Sequence, residues 1–165
     1  MNVHFIDTSV FCNILDVPGK NQQKEDVMRE LRELIKDKDG NALILPFATI
    51  VETGNHIAHC PDGNIRRKVA IRFIEVIKKT VNDDAPWQFY SDQFSEEDLL
   101  EMCRHFPDAA MSGMAFGDVS IVQAYNRYKQ ETPAIHTIRI WSIDTHLKDR
   151  YVDNVIPQNL RNSRH

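Results

Sequence analysis

The first apolar run of the chain, Val3-His4-Phe5-Ile6, ends in a carboxylate and two hydroxyls, Asp7-Thr8-Ser9. Such a run reads as a short buried strand that delivers its terminal acid to the edge of a sheet. In open α/β folds ligands collect beyond the carboxyl ends of the strands, so Asp7 is a chemical candidate from its position alone. A second run, Ala42-Leu43-Ile44-Leu45, is apolar throughout and bounded by Asn41 and Pro46. That is the pattern of a parallel strand covered on both faces by helices.

Between and beyond these runs the period changes to that of helices. Val10, Phe11, Ile14 and Leu15 predict a helix over 8–15, which Pro18-Gly19 ends. Val27, Leu31, Leu34 and Ile35 predict a second over 22–38. Pro46 opens a third over 47–59, with Phe47, Ile50, Val51, Gly54, Ile57 and Ala58 on its apolar face and Thr49, Glu52, Asn55, His56 and His59 on its polar one. A long helix over 64–81 buries Ile65, Val69, Phe73, Val76 and Ile77. Residues 82–86 form a loop, and Trp87-Gln88-Phe89-Tyr90 is an edge strand or a packed loop. Ser95 with Asp98 makes a capping box for a helix carrying Leu99, Leu100 and Cys103. The small residues of 107–117 read as a loop, and Asp118 opens a helix with Ile121, Val122, Tyr125 and Tyr128. A strand over 137–143 leads to Ser142-Ile143-Asp144, followed by a short last helix and the polar tail 161–165. Strands alternating with helices imply one α/β domain, a parallel-sheet α/β/α sandwich with at least three strands.

The 165 residues suffice for a single domain with a proper core. With 42% apolar and 27% charged residues the chain has the composition of an ordinary soluble protein. The apolar runs are far too short to span a membrane, and no charged leader precedes the first strand, so a cytoplasmic protein with no membrane partner is expected. Cys12, Cys60 and Cys103 are odd in number and form no C-x-x-C pair, which fits a reducing compartment better than a disulfide framework. A net charge of −4 disfavours nucleic-acid binding by bulk electrostatics, although a bound divalent cation supplies positive charge at the site itself.

Asp7 and Asp144 close apolar strands, Asp118 stands at a helix start, and Glu52 lies about one turn into the helix after the second strand. In a parallel sheet all four positions fall on one edge. Carboxylates gathered without a cation repel one another, and oxygen-only ligands suit Mg²⁺ or Mn²⁺ better than zinc. Each acid alone is equally well read as a helix cap or a solvated side chain. Their coincidence of position is what points to a site.

The order Ile6-Asp7-Thr8-Ser9, Ile50-Val51-Glu52, Gly117-Asp118-Val119-Ser120 and Ser142-Ile143-Asp144 resembles that of the PIN-domain family of metal-dependent nucleases. The resemblance spans nearly the whole chain and implies a PIN-like nuclease domain over 1–160. By that resemblance the chain is an Mg²⁺- or Mn²⁺-dependent endoribonuclease, with Asp7, Glu52, Asp118 and Asp144 as both catalytic residues and metal ligands. Asp7 and Asp118 would hold the metal that activates a water, and Glu52 and Asp144 would bind a second ion or place that water. Thr8, Ser9, Ser142 and Lys148 are the expected substrate-binding set, or orient the carboxylates. Small family members are typically homodimers, and toxin members are held by an antitoxin protein. A homodimer is therefore expected through residues 111–116, where Met114 and Phe116 read as exposed. Gln123 and the long helix over 64–81 depart from the compact toxins. The competing class is a catalytically idle PIN-like module for RNA binding or protein docking. A dehalogenase-like phosphatase is disfavoured, since Ser9 stands where its second Asp belongs.

Other clusters have plainer readings. His56, His59 and Cys60 match no common zinc spacing. Trp87, Phe89 and Tyr90 are large apolar surface before they are stacking platforms for bases.

Overall fold

The computed structural model describes residues 1–91, 94–132 and 134–155. The polar tail at 161–165 lies outside the described residues. The elements in chain order are β1 (Asn2–Ile6), α1 (Thr8–Ile14), α2 (Lys24–Lys36), β2 (Asn41–Pro46), α3 (Phe47–Ala58), α4 (Gly63–Val81), β3 (Gln88–Tyr90), α5 (Glu96–Met111), α6 (Phe116–Glu131), β4 (Thr137–Trp141) and β5 (Val152–Asn154). The strands form one sheet in the order β3-β2-β1-β4-β5. β1 pairs in parallel with β2 and β4, β2 pairs in parallel with β3, and β5 runs antiparallel to β4. Helices flank the sheet, giving the α/β/α sandwich that the alternation of runs implies. No described helix is long and apolar enough to cross a membrane.

The central strand explains why two cores exist. Successive side chains of a strand point to opposite faces, so Val3 and Phe5 fall on one side and Ile6 on the other. Val3 and Phe5 pack with Ile44, Ile121, Tyr125, Ile138 and Ile140. Ile6 packs with Val10, Phe11, Leu43, Leu45, Trp87 and Trp141. His4, on the same face as Ile6, is buried and is given hydrogen-bond partners there. Arg139 Nε donates to His4 Nδ1 at 2.7 Å, the other ring nitrogen meets Asn41 at 3.1 Å, and Arg139 reaches Glu30 on α2 at 2.6 Å.

Four expectations change. On α3, Phe47 and Val51 are exposed, whereas Thr49 and Thr53 are fully buried. Thr49 Oγ1 donates to the Ile6 carbonyl at 2.8 Å, and Thr53 Oγ1 receives the Cys12 thiol at 4.0 Å, so the helix docks through two short hydroxyls instead of its bulkier side chains. On α4, Ile65 is exposed, not buried. The helix α5 runs through Pro107 to Met111, where a loop was expected. Proline removes a single helical hydrogen bond, and Ala109 and Ala110 after it are good helix formers. The helix then closes with Gly113 N–H on Ala110 O and Met114 N–H on Ala109 O, both at 2.9 Å, with Gly113 at φ +84°. Finally, residues 145–150 form turns, not a helix, and lead into β5, an edge strand too short and polar to announce itself.

Within the expected dimer segment Met111 is the most exposed of the large apolar side chains. Met114, expected to be exposed, is half-buried against the core, and Phe116 lies edge-on to Phe106 with centroids 5.0 Å apart.

Candidate active site at the switch point of the sheet

The chain lays β2 and β3 on one side of β1, then crosses to the other side for β4. The carboxyl ends of β1 and β4 therefore flank the point where the strand order reverses, the position where open α/β sheets leave a crevice. Asp7 follows β1 immediately, and its backbone N–H extends the ladder by donating to Trp141 O at 3.1 Å.

The Asp7 side chain is 2% exposed, and its two oxygens have opposite surroundings. Oδ2 receives Ser9 N–H at 3.2 Å, Ser9 Oγ at 2.6 Å and Ser142 Oγ at 2.8 Å. Oδ1 is buried and receives nothing from the described residues. The two serines accept in turn from the end of β4: Ile143 N–H donates to Ser9 Oγ at 3.1 Å and Asp144 N–H to Ser142 Oγ at 2.9 Å. The hydroxyls thus stitch the ends of β1 and β4 together and fix the carboxylate between them. Ser9 and Ser142, whose hydroxyls also lie 3.3 Å from each other, orient the acid.

Glu52, on α3, accepts from Thr8 Oγ1 at 2.8 Å. Burial pushes its carboxyl above the usual range, and the charge of Asp7 adds to this, against the Thr8 hydrogen bond. Its Oε1 lies over Gly117, where a Cβ would collide with the Glu52 carboxylate. Gly117 is a residue whose role the sequence did not reveal: it leaves room for the acid of one helix against the first turn of another. Asp118 stands in the first turn of α6, three residues past the N-cap residue Ala115, and its Oδ2 accepts Ala115 N–H at 3.1 Å. Its pKa is pushed up to about 6, by burial first and then by the charges of Asp7, Glu52 and Asp144, while the Ala115 hydrogen bond opposes. The structure thus brings the four expected acids into one electrostatic neighbourhood. Asp144 is exposed at its rim, with Oδ1 accepting His146 N–H at 2.8 Å. Lys148 is exposed one turn of chain beyond, its backbone N–H donating to Asp144 O at 2.7 Å, and its side chain has no ion pair among the described residues.

A hard cation fits the donor set in one respect above all: a buried carboxyl oxygen without a hydrogen-bond partner, as at Asp7 Oδ1, is costly unless something faces it. Among the described residues, however, no three His, Cys, Asp or Glu side chains are gathered closely enough to hold a metal as they stand. Glu52, Asp118 and Asp144 are each turned to a local donor, at Thr8, Ala115 and His146. Holding an ion at Asp7 Oδ1 together with those side chains would require them to give up these hydrogen bonds for it.

Of the remaining candidates Cys60 and Trp87 are buried, whereas His59 and Phe89 are exposed, Phe89 lying edge-on to Phe47. His59 Nδ1 donates to Asn55 O at 2.7 Å, and the buried Cys60 thiol lies 3.8 Å from His56 O. Trp87 is buried edge-on to Phe11 and donates to Thr80 Oγ1 at 2.9 Å, and Tyr90 stacks edge-on with Phe5 and Tyr128.

No protein-family model matches the chain, and no curated protein matches it. Among solved structures it is similar to a chain of VapBC2 from Rickettsia felis, crystallised bound to a DNA fragment from its promoter, with 11% identity and a TM-score of 0.47 over 85% of this chain and 99% of that one. A likeness of that degree assigns neither a family nor an activity, and what the chain does has to be argued from its own site.

Proposed function

We propose that the chain is an Mg²⁺- or Mn²⁺-dependent endoribonuclease whose catalytic residues are Asp7, Glu52, Asp118 and Asp144. The observation that carries the reading is Asp7. Three donors saturate one of its oxygens, and the other is buried and has no partner among the described residues. The order of the acids, similar to that of PIN-domain nucleases, supports RNA as the substrate. When bound, the cation supplies Lewis acidity to the phosphate and a lower pKa to the attacking water. The chain's part is to fix Asp7 through Ser9 and Ser142, to hold Glu52 against Gly117, and to keep at Asp118 a half-buried carboxyl in the field of the other acids, whose charge a cation would offset. The toxin role, with an antitoxin partner and a homodimeric state, belongs to the same proposal and rests on the resemblance of the acid order alone.

A second reading is favoured by the carboxylates that are satisfied by local donors: an idle module that binds RNA or a protein through the same fold. The two separate in one experiment. Wild type and Asp118→Asn are incubated with labelled single-stranded RNA, structured RNA and single-stranded DNA in Mg²⁺, Mn²⁺ or chelator. Cleavage of RNA by wild type that chelator abolishes and Asp118→Asn lowers at least 100-fold is expected. RNA bound but uncut under every condition would favour the idle module.

A further inference from the structure

Behind the turn 112–115 lies a groove of about 510 Å³ between α5, α6 and the segment that follows β4. It shares a wall with the acid centre. Val119, which lines it, is the residue after Asp118, and a Cβ added at Gly113 would stand 3.3 Å from the ring of His146, whose backbone N–H donates to Asp144. Val119 and Val122 make the floor apolar. The ring of Tyr151 forms a side, fixed edge-on against the buried Tyr125 at 6.0 Å. The rim carries Asp108, Asn126 and Arg150, all exposed, and none has a side-chain hydrogen bond or ion pair among the described residues.

We propose that this groove reads one base of the RNA strand whose phosphate lies over the acids, and that it selects a base bearing an exocyclic amine. The inference rests on the nuclease reading for where the phosphate lies. Its size is that of a small-ligand pocket, and a lining that combines valines with an aromatic ring suits a base. Asp108 is an acceptor without a donor, which repels a phosphate inside the groove but receives an amine, as carboxylates do from cytosine N4. Arg150 at the mouth is placed for the sugar–phosphate backbone, which carries no sequence information. Uracil offers no amine to Asp108 and is the base the groove discriminates against.

The test is fluorescence anisotropy with labelled 10-mers of rC, rA and rU, on full-length chain carrying Asp118→Asn so that no turnover intrudes. Three further substitutions, each at an exposed position, are added singly: Asp108→Asn, Asn126→Trp to block the groove, and Arg150→Ala. Tighter binding of rC or rA than rU by about fivefold is expected. Asp108→Asn and Asn126→Trp should erase that ratio, and Arg150→Ala should weaken all three oligomers alike, with melting temperatures unchanged. Equal affinities for all three oligomers, or a ratio that survives both Asp108→Asn and Asn126→Trp, overturns the inference. If the base preference is found while the chain with Asp118 restored cuts no RNA, the groove stands and the nuclease reading falls.

Discussion

At the scale of the residue, the acids of the site oppose the fold that holds them. Asp118 ionises near 6 in the folded chain against 3.8 in a free side chain. A carboxyl whose pKa is raised by folding contributes stability that is full below 3.8 and lost as the pH climbs through 6. At pH 7 the ionised, half-buried group therefore strains the native state. Asp118→Asn keeps an acceptor for Ala115 N–H and removes that charge, so it should melt above wild type at pH 7, and the gap should close below pH 4. Equal melting temperatures at both pH values would mean that neither burial nor the neighbouring acids raise the Asp118 carboxyl. Gly117→Ala tests the same neighbourhood by volume. The added methyl displaces the Glu52 carboxylate, so cleavage should fall about tenfold or more while the melting temperature moves little; unchanged cleavage would remove Glu52 from the machinery. Ser142→Ala takes one of three donors from Asp7 Oδ2 and should cost about 1 kcal/mol, read by urea unfolding.

At the scale of the element, helices and strands were legible wherever period and punctuation agreed. The Ser95 capping box is present as written, with Ser95 Oγ accepting Asp98 N–H at 3.1 Å. Which face of α3 turns inward was not legible, because a threonine hydroxyl is polar in a sequence and satisfied in a structure. Only the position of the Ile6 carbonyl tells that Thr49 is the docking residue. Thr49→Val keeps the shape, leaves that buried carbonyl short of a donor, and should cost about 1–2 kcal/mol in urea unfolding. The join of α2 to the sheet is pH-sensitive in a way the strand pattern hides. His4 is lowered by burial first and then by Arg139, with Asn41 and Glu30 opposing. A base whose pKa is depressed on folding contributes stability that is present above 6.5 and lost as the pH falls through its lower native value. Protonation also removes the lone pair that receives Arg139 Nε–H. Wild type should therefore lose stability from pH 6.5 to 5 relative to His4→Asn, and parallel profiles would contradict this.

At the scale of the whole molecule, the sequence places four acids at one edge of a parallel sheet but does not say which strands adjoin. Strand order is a matter of long-range pairing and leaves no mark on periodicity. The order β3-β2-β1-β4-β5 sets Asp7 and Asp144 on either side of the reversal, and the two serines close the seam between them. Nor did the sequence reveal how each acid is held: Gly117, Thr8 and the Ala115 N–H come from three elements brought together only by folding. The most direct measurement is a calorimetric titration of Mn²⁺ into wild type and Asp7→Asn at pH 7, with melting curves of the same samples. Binding of Mn²⁺ to wild type, with a rise in melting temperature that follows the ion concentration and is absent in Asp7→Asn, is the expected result. No heat of binding and superimposable melting curves would mean that the buried oxygen of Asp7 faces no cation.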